Sequence, residues 1–231
     1  MWTNPDNTTD VPFEPSTLVE LLRWRARQQP DKLAYVFLVD GEEEKESLNY
    51  LELDRKARAF AAVLQTSGYA GGRALLLYPS GLDYVVAFFG CLYAQMVAVP
   101  AYPPRPARTK RTTSRVWGII EDAQPAVALC TTSLLPPVQA LFAERAGSPQ
   151  LVTTDDIADE MADHWAEPHI SSHTLAFLQY TSGSTATPKG VMVSHGNLLH
   201  NQRLIKQAFR QTEQSVIVGW LPLYHDMGLI G

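Results

Sequence analysis

Residues 180–194 carry side chains well suited to binding phosphate. They read YTSGSTATPKGVMVS, in which small and hydroxylated residues separate the apolar stretches LAFLQY and VMVS. Gly183 lets the backbone turn its N–H groups inward, and Lys189 adds a point charge. The hydroxyl groups that can donate to phosphate oxygens belong to Thr181, Ser182, Ser184, Thr185 and Thr187. The segment therefore predicts a loop that binds a nucleoside triphosphate.

This loop differs from the common P-loop, whose pattern is G-x-x-x-x-G-K-[ST]. Counted from Gly183, the second glycine position holds Pro188, and Gly190 stands where a magnesium-binding hydroxyl is needed. A Ras-like or kinase-like NTPase is therefore disfavoured. The alternative is a hydrophilic turn without a ligand, because Ser, Thr and Gly are common in turns. Lys189, between Pro and Gly, favours the phosphate site.

A second stretch with chemical potential, residues 220–231, reads WLPLYHDMGLIG and contains His225. The structural alternative is a partly buried histidine that bonds a backbone carbonyl, since histidine is often intermediate in burial. Asp226 follows directly, but adjacent side chains usually diverge, so a direct pair with His225 is not expected.

The stretch TSGSTATPKG resembles the signature loop of the adenylate-forming superfamily of acyl ligases, a Ser/Thr/Gly-rich run that closes in P-K-G. The family usually has glycine where this chain has Ala186. Because a methyl group disfavours a positive φ, we expect the backbone at Ala186 to have a negative φ. WLPLYHDMGLIG resembles the next motif of the superfamily, in which a histidine lies beside the acyl substrate and the α-phosphate. Three stretches together look most like the fatty acyl-AMP ligases: LLLYPSGLDYVVAFFGCLYA (75–94), VAVPAYPPRP (97–106) and LPLYHDMGL.

The resemblance implies an ATP-dependent ligase that converts a fatty acid to an acyl-adenylate and releases pyrophosphate. The acyl group would pass to an acyl carrier protein in lipid, polyketide or peptide biosynthesis. Lys189 and His225 are the catalytic candidates, with His225 beside the carboxylate and the α-phosphate. The β- and γ-phosphates, bridged by Mg²⁺, would contact Thr181, Ser182, Gly183, Ser184, Thr185 and Lys189. A fatty acyl-CoA ligase and a catalytically silent binding module remain as alternatives.

The same resemblance assigns domain limits. Residues 1–14 are predicted to form a flexible N-terminus, and residues 15–231 an incomplete N-terminal AMP-binding domain. The magnesium glutamate, the ribose aspartate and a lysine on a small C-terminal lid are implied to follow residue 231, so no metal ligand is assigned within the chain. The chain is therefore expected to be the N-terminal part of a larger enzyme and to be inactive alone.

Composition indicates a soluble globular domain and excludes several other classes. Of the 231 residues, 45% are hydrophobic, and the formal net charge is -5, which gives no general attraction to nucleic acid or to an anionic membrane. Residues 1–10 are polar and lack both a basic flank and an apolar core, so they are not expected to act as a signal peptide. Cys91 and Cys130 lie in apolar sequence and are typical of buried thiols in a reducing cytoplasm. Residues 84–104 carry no formal charge, but Gln95 and three prolines interrupt them, which favours a buried helix and strand over a membrane span.

Helical and strand patterns alternate along the chain. They predict an α/β fold with a largely parallel sheet flanked by helices, in which ligands bind at the carboxyl ends of the strands. Ser16 and Asn49 are predicted to cap helices, and Asp40-Gly41 to turn a hairpin. Helices are predicted over residues 16–29, 49–65, 82–94, 113–122, 134–143 and 195–209. Strands are predicted over residues 33–39, 46–48, 74–78, 97–99, 126–130, 151–153, 175–179, 191–193 and 216–220.

Three further groups of residues give weaker signals. His164, His169 and His173 cluster in sequence, but Pro168 prevents a continuous helix that would align them, so zinc is disfavoured. No G-x-S-x-G stretch surrounds any serine, which disfavours a serine hydrolase. One basic run is interpreted as a solvated helix face, with a docking patch for an acidic carrier protein as the alternative. It comprises Arg105, Arg108, Lys110, Arg111 and Arg115.

Overall fold

A six-stranded sheet forms the centre of the computed structural model, which describes residues 13–39, 41, 43–104, 110–181 and 188–230. Its strands are β3 (Arg73–Leu76), β4 (Val97–Pro100), β5 (Val127–Cys130), β6 (Gln150–Thr153), β7 (Leu175–Thr181) and β8 (Lys189–Ser194). The strand order is β6-β5-β3-β4-β7-β8, and only the edge strand β8 pairs antiparallel to its neighbour. A separate antiparallel hairpin joins β1 (Leu33–Val39) to β2 (Glu43–Asn49).

Helices connect the parallel strands and cover both faces of the sheet. They are α1 (Leu18–Gln28), α2 (Tyr50–Thr66), α3 (Leu82–Tyr93), α4 (Lys110–Ala123), α5 (Leu135–Phe142), α6 (His195–Ala208) and the short α7 (Asp226–Leu229). Two 3₁₀ turns lie at Thr132–Leu134 and Asp159–His164. The predicted α/β class, with a mostly parallel sheet between helices, is confirmed.

Alternation along the strands divides the core into two clusters. Leu76 and Phe177 belong to the cluster beneath α2 and α3, whereas Leu75 and Leu178 belong to the cluster beneath α4 and α5. Successive side chains of a strand point to opposite faces, so these buried strands contribute apolar groups to both clusters.

Helix α2 begins where the sequence predicts. The Asn49 side chain accepts a hydrogen bond from the backbone of Glu52, and the Glu52 carboxylate accepts one from the backbone of Asn49, which completes a capping box. The cap of α1 was predicted one residue too early. Thr17 caps this helix by accepting from the Glu20 backbone, while Ser16 donates to the Glu20 carboxylate.

The uncharged run 84–104 forms α3 and β4, as predicted. Within the described ranges, no helix has both the length and the apolar character needed to cross a bilayer. Both cysteines are free and buried in opposite clusters of the core. Burial raises the pKa of the Cys91 thiol, and burial together with Asp155 raises that of Cys130 to about 11.

The prediction of a strand over residues 216–220 is wrong. The segment has no regular secondary structure and pairs with no strand in the part of the chain that is described, and Trp220 is 87% exposed. Its residues, VIVGW, have high β-propensity, but that preference reflects packing on a sheet and needs a neighbouring strand.

Candidate active site

The antiparallel pair β7–β8 holds the two ends of the predicted phosphate loop. Thr181 at the end of β7 lies opposite Lys189 at the start of β8. Directly opposed residues project to the same face of a sheet, so the hydroxyl and the exposed ammonium lie side by side at the mouth of the loop. The intervening candidates lie outside the described residues: Ser182, Gly183, Ser184 and Thr185, together with Ala186 and Thr187.

One residue pair below this mouth, the Tyr180 ring covers Gly190. A Cβ atom at Gly190 would lie 3.0 Å from Tyr180 Cζ, so glycine permits this close approach. The Tyr180 hydroxyl donates to Asp122 Oδ2 at 2.5 Å. Burial, and then this hydrogen bond, raise the pKa of Tyr180, so it stays a neutral donor. The glycine of P-K-G therefore has a packing role within the hairpin.

Helix α4 supports the same hairpin at two further points. The Arg115 guanidinium donates to the Tyr180 carbonyl oxygen at 3.3 Å. Gly118 packs beneath Pro188, since a Cβ atom there would lie 2.9 Å from Pro188 Cγ. Arg115 is partly buried in these contacts, so its assignment to a solvated basic face is wrong. The side chains of the other four basic residues of that run lie outside the described residues.

The segment that carries His225 lies at the carboxyl edge of the sheet, although no strand precedes it. The Leu223 backbone N–H donates to Ser80 Oγ, in the loop that follows β3, at 3.4 Å. Tyr224 packs on Tyr102, which follows β4, with ring centroids 4.5 Å apart. Because β7 runs parallel to β4, its end at Thr181 lies at the same edge of the sheet.

His225 and Asp226 form a direct pair, contrary to expectation. The His225 Nδ1 and Asp226 Oδ1 atoms are 2.5 Å apart, and the two side chains are 57% and 50% exposed. His225 is also the N-cap of α7, so the backbone changes from extended to helical between the two residues, and the side chains converge. The carboxylate leaves His225 Nε2 as the ring nitrogen available to a ligand.

The described residues offer no metal centre of their own. No group of three His, Cys, Asp or Glu side chains in the described ranges lies close enough to hold an ion. No such group is formed by His164, His169 and His173, which lie within these ranges. Lys189 and Thr181 offer a cation and a hydroxyl to an anionic ligand, but the described ranges provide no carboxylate set for Mg²⁺.

A cavity of about 250 Å³ opens near β2, α2 and the start of α3. Neither Thr181, Lys189 nor His225 lines it. Its walls mix charged and apolar groups, including Glu46, Lys56, Asp83, Asp155, Phe60 and Leu82. The described residues proposed for chemistry therefore lie apart from this cavity.

Sequence reasoning missed the supports of the site. Asp122 and Gly118 carry no motif, and only the helical spacing of α4 placed them on one face with Arg115. Tyr102 and Tyr224 stand within stretches that were singled out, but their contact joins residues far apart in sequence.

The family model described as AMP-binding enzyme matches residues 22–231. The chain belongs to this family. Among relatives of this AMP-binding chain, the medium-chain-fatty-acid–[acyl-carrier-protein] ligase JamA of Moorena producens is 46% identical over 93% of the chain and 37% of the relative. The long-chain-fatty-acid–AMP ligase FadD32 of Mycolicibacterium smegmatis is 36% identical over 97% of the chain and 36% of the relative.

A solved structure extends this similarity to three dimensions. The fatty acyl-adenylate ligase of Legionella pneumophila, in complex with acyl adenylate and pyrophosphate, superposes with a TM-score of 0.84 at 39% identity. The match covers 94% of this chain and 37% of that one. The chain thus spans a little over a third of the length of the relatives it matches.

Proposed function

We propose that the complete protein activates a fatty acid with ATP, forming an acyl-adenylate and pyrophosphate. The observation that carries this proposal is that the phosphate-loop hairpin and the His225 segment lie at one edge of the sheet, supported by loops after β3, β4 and β7. Relatives named as fatty-acid ligases support a fatty acid as the carboxylate substrate.

The reaction needs positioning and neutralisation of charge more than it needs a protein nucleophile. A fatty-acid carboxylate oxygen forms a bond to the α-phosphorus, and the bond from that phosphorus to the bridging oxygen of pyrophosphate breaks. Lys189 and the Thr181–Thr185 hydroxyls would hold the β- and γ-phosphates, whose charge grows as pyrophosphate departs. His225 would orient the carboxylate against the α-phosphorus, with its Nδ1 held by Asp226.

The acyl acceptor is proposed to be the phosphopantetheine thiol of an acyl carrier protein. The relative of Moorena producens is named as a ligase to this acceptor. The thiol would attack the acyl carbonyl and displace AMP. We place the reaction in the cytoplasm, which suits the two free, buried cysteines.

Mass spectrometry of reactions with the complete protein tests both steps. With ATP, Mg²⁺ and a series of fatty acids, we expect an acyl-adenylate; adding holo carrier protein should give the acyl thioester. Substituting coenzyme A should give less product. Efficient acyl-CoA formation would instead identify an acyl-CoA ligase, and absence of any acyl-adenylate from folded protein would leave a binding module.

A further inference from the structure

One side chain of α4, Arg115, contacts the phosphate-loop hairpin directly and reaches the His225 segment through Tyr102. Its guanidinium donates to the Tyr180 carbonyl, 3.3 Å away, directly before the phosphate loop. Its Cζ atom also lies 5.3 Å from the centroid of the Tyr102 ring. Tyr102 in turn packs on Tyr224, the residue before His225. We infer that Arg115 is a positioning residue that fixes the phosphate-loop hairpin and the His225 segment relative to each other.

The two contacts of Arg115 use different parts of one rigid plane. The N–H groups donate in the plane of the guanidinium, and its face stacks on an aromatic ring. Lysine carries the same charge as a single ammonium, so it cannot hold both partners in a fixed geometry. A planar group that meets both requirements explains why an arginine, and not merely a positive charge, suits this position.

The rest of α4 fixes where Arg115 can reach. Arg115, Gly118 and Asp122 are spaced i, i+3 and i+7, so they lie on one face of the helix, the face that contacts the β7–β8 hairpin. Gly118 packs on Pro188, and Asp122 accepts from the Tyr180 hydroxyl. These two contacts set the helix against the hairpin, and Arg115 adds the link to the Tyr102–Tyr224 ring pair.

Such a link matters for the proposed adenylation, on which this inference rests. The loop of the hairpin would bind the leaving pyrophosphate, and His225 would orient the attacking carboxylate. A loss of alignment between the two groups slows an in-line displacement even when each substrate still binds. Arg115 should therefore affect kcat more than KM.

Steady-state kinetics of the complete protein test this role with Arg115→Met, Arg115→Lys and Tyr102→Leu. For all three, we expect kcat to fall about 10- to 100-fold while KM for ATP changes less than about threefold. Tyr102→Phe keeps the ring face and should recover most of the loss. The double variant Arg115→Met/Tyr102→Leu should be no slower than the slower single variant, because both break one link.

Arg145→Met is the matched control. Arg145 also stacks on an aromatic side chain of α4, with its Cζ atom 5.4 Å from the Trp117 centroid, and it pairs with Glu121 near the end of that helix. The kcat of the Arg145→Met variant should stay within about twofold of the parent value. Equal losses in Arg145→Met and Arg115→Met would overturn the inference, as would a raised KM for ATP with unchanged kcat, which would make Arg115 a direct phosphate ligand.

Amide hydrogen exchange gives a readout that needs no catalysis. Arg115→Met, compared with Arg145→Met, should speed exchange about fivefold or more in both the β7–β8 hairpin and residues 221–225. Acceleration in only one of these segments, or in neither, contradicts the link. A parent that exchanges as expected but forms no acyl-adenylate would refute the proposed function and leave the positioning role standing.

Discussion

Lys189 faces Thr181 across the mouth of the phosphate loop, exposed and at the first residue of β8. Its ammonium would contact the triphosphate that we propose for this loop, and its effect should grow as charge moves onto pyrophosphate. The hydroxyls of the loop can donate hydrogen bonds but cannot supply this positive charge.

Replacing Lys189 with alanine should lower the rate of adenylation more than the affinity for fatty acid. The expected fall in kcat in the complete protein is about 10- to 1,000-fold, as for other single contacts to developing charge. Arg203→Ala, which removes an exposed cation from α6, is the control and should change the rate less than about twofold. Parental turnover by Lys189→Ala would make this lysine a solvated loop charge.

His225 is a second residue at which catalytic and structural roles separate. Its side chain is 57% exposed, so its removal leaves no buried cavity. We expect His225→Ala to cut adenylation about 10- to 1,000-fold while thermal unfolding stays near that of the parent. Asp226→Asn, which weakens the pair at Nδ1, should give a smaller loss. Measuring turnover and melting on one preparation decides the matter: normal turnover per folded molecule excludes His225 from the chemistry.

At the scale of elements, the packing of α4 on the hairpin depends on a glycine. Glycine inside a helix usually costs about 1 kcal/mol relative to alanine. At Gly118, however, the added methyl would lie 2.9 Å from Pro188 Cγ, so either the helix or the loop exit must move. Alanine should therefore be unfavourable here despite its helix propensity.

Gly118→Ala should lower the free energy of unfolding by about 1 to 3 kcal/mol, as overpacking does elsewhere, and should reduce adenylation as well. Urea denaturation measures the first effect and pyrophosphate release the second. Ser114→Ala, on an exposed position of the same helix, is the control and should change neither appreciably. A Gly118→Ala protein more stable than the parent would show that Pro188 does not constrain the helix.

Helix α6 is joined to α1 by a buried histidine that the sequence did not single out. His195 is 1% exposed, and its Nδ1 atom accepts a hydrogen bond from the Leu18 backbone at 3.2 Å. Burial lowers the pKa of His195 to about 4, although Glu20 acts in the opposite direction. Because the folded pKa lies below the unfolded value of 6.5, folding favours neutral His195.

The stability contributed by His195 is therefore complete above pH 6.5 and is lost as the pH falls towards 4. The loss over this window should approach about 3 kcal/mol. His195→Asn keeps an acceptor for the Leu18 N–H but cannot be protonated in this pH range. The free energy of unfolding of this variant should therefore fall less than that of the parent as the pH is lowered. Urea denaturation at several pH values tests the difference, and parallel curves for parent and variant would contradict it.

At the scale of the whole molecule, local signals predicted most of the fold. The alternation of strand and helix patterns gave the α/β class, and Asn49, predicted as an N-cap, marked the start of α2. Residues 216–220 were misassigned because β-branched residues favour an extended chain whether or not a strand lies alongside.

In the candidate site too, residues in local motifs could be predicted, whereas residues joined by long-range contacts could not. Lys189 and His225 could be proposed as site residues from sequence because each lies within a contiguous motif. Arg115 and its ring partners could not be found that way, because their contacts join segments separated by dozens of residues. Sequence spacing put Arg115 on a helix face, but only the packing of α4 on β7 and β8 shows that this face is covered.

The central claim is that this site directs a fatty-acid carboxylate onto the α-phosphorus of ATP. The most direct measurement uses fatty acid labelled with oxygen-18 in its carboxylate, the complete protein, ATP and the thiol acceptor. If the carboxylate attacks the α-phosphorus, one labelled oxygen remains on the phosphorus when the thiol displaces AMP. Mass spectrometry should therefore find AMP that carries one oxygen-18 atom. Label in inorganic phosphate with ADP as the other product, or unlabelled AMP, would contradict the account.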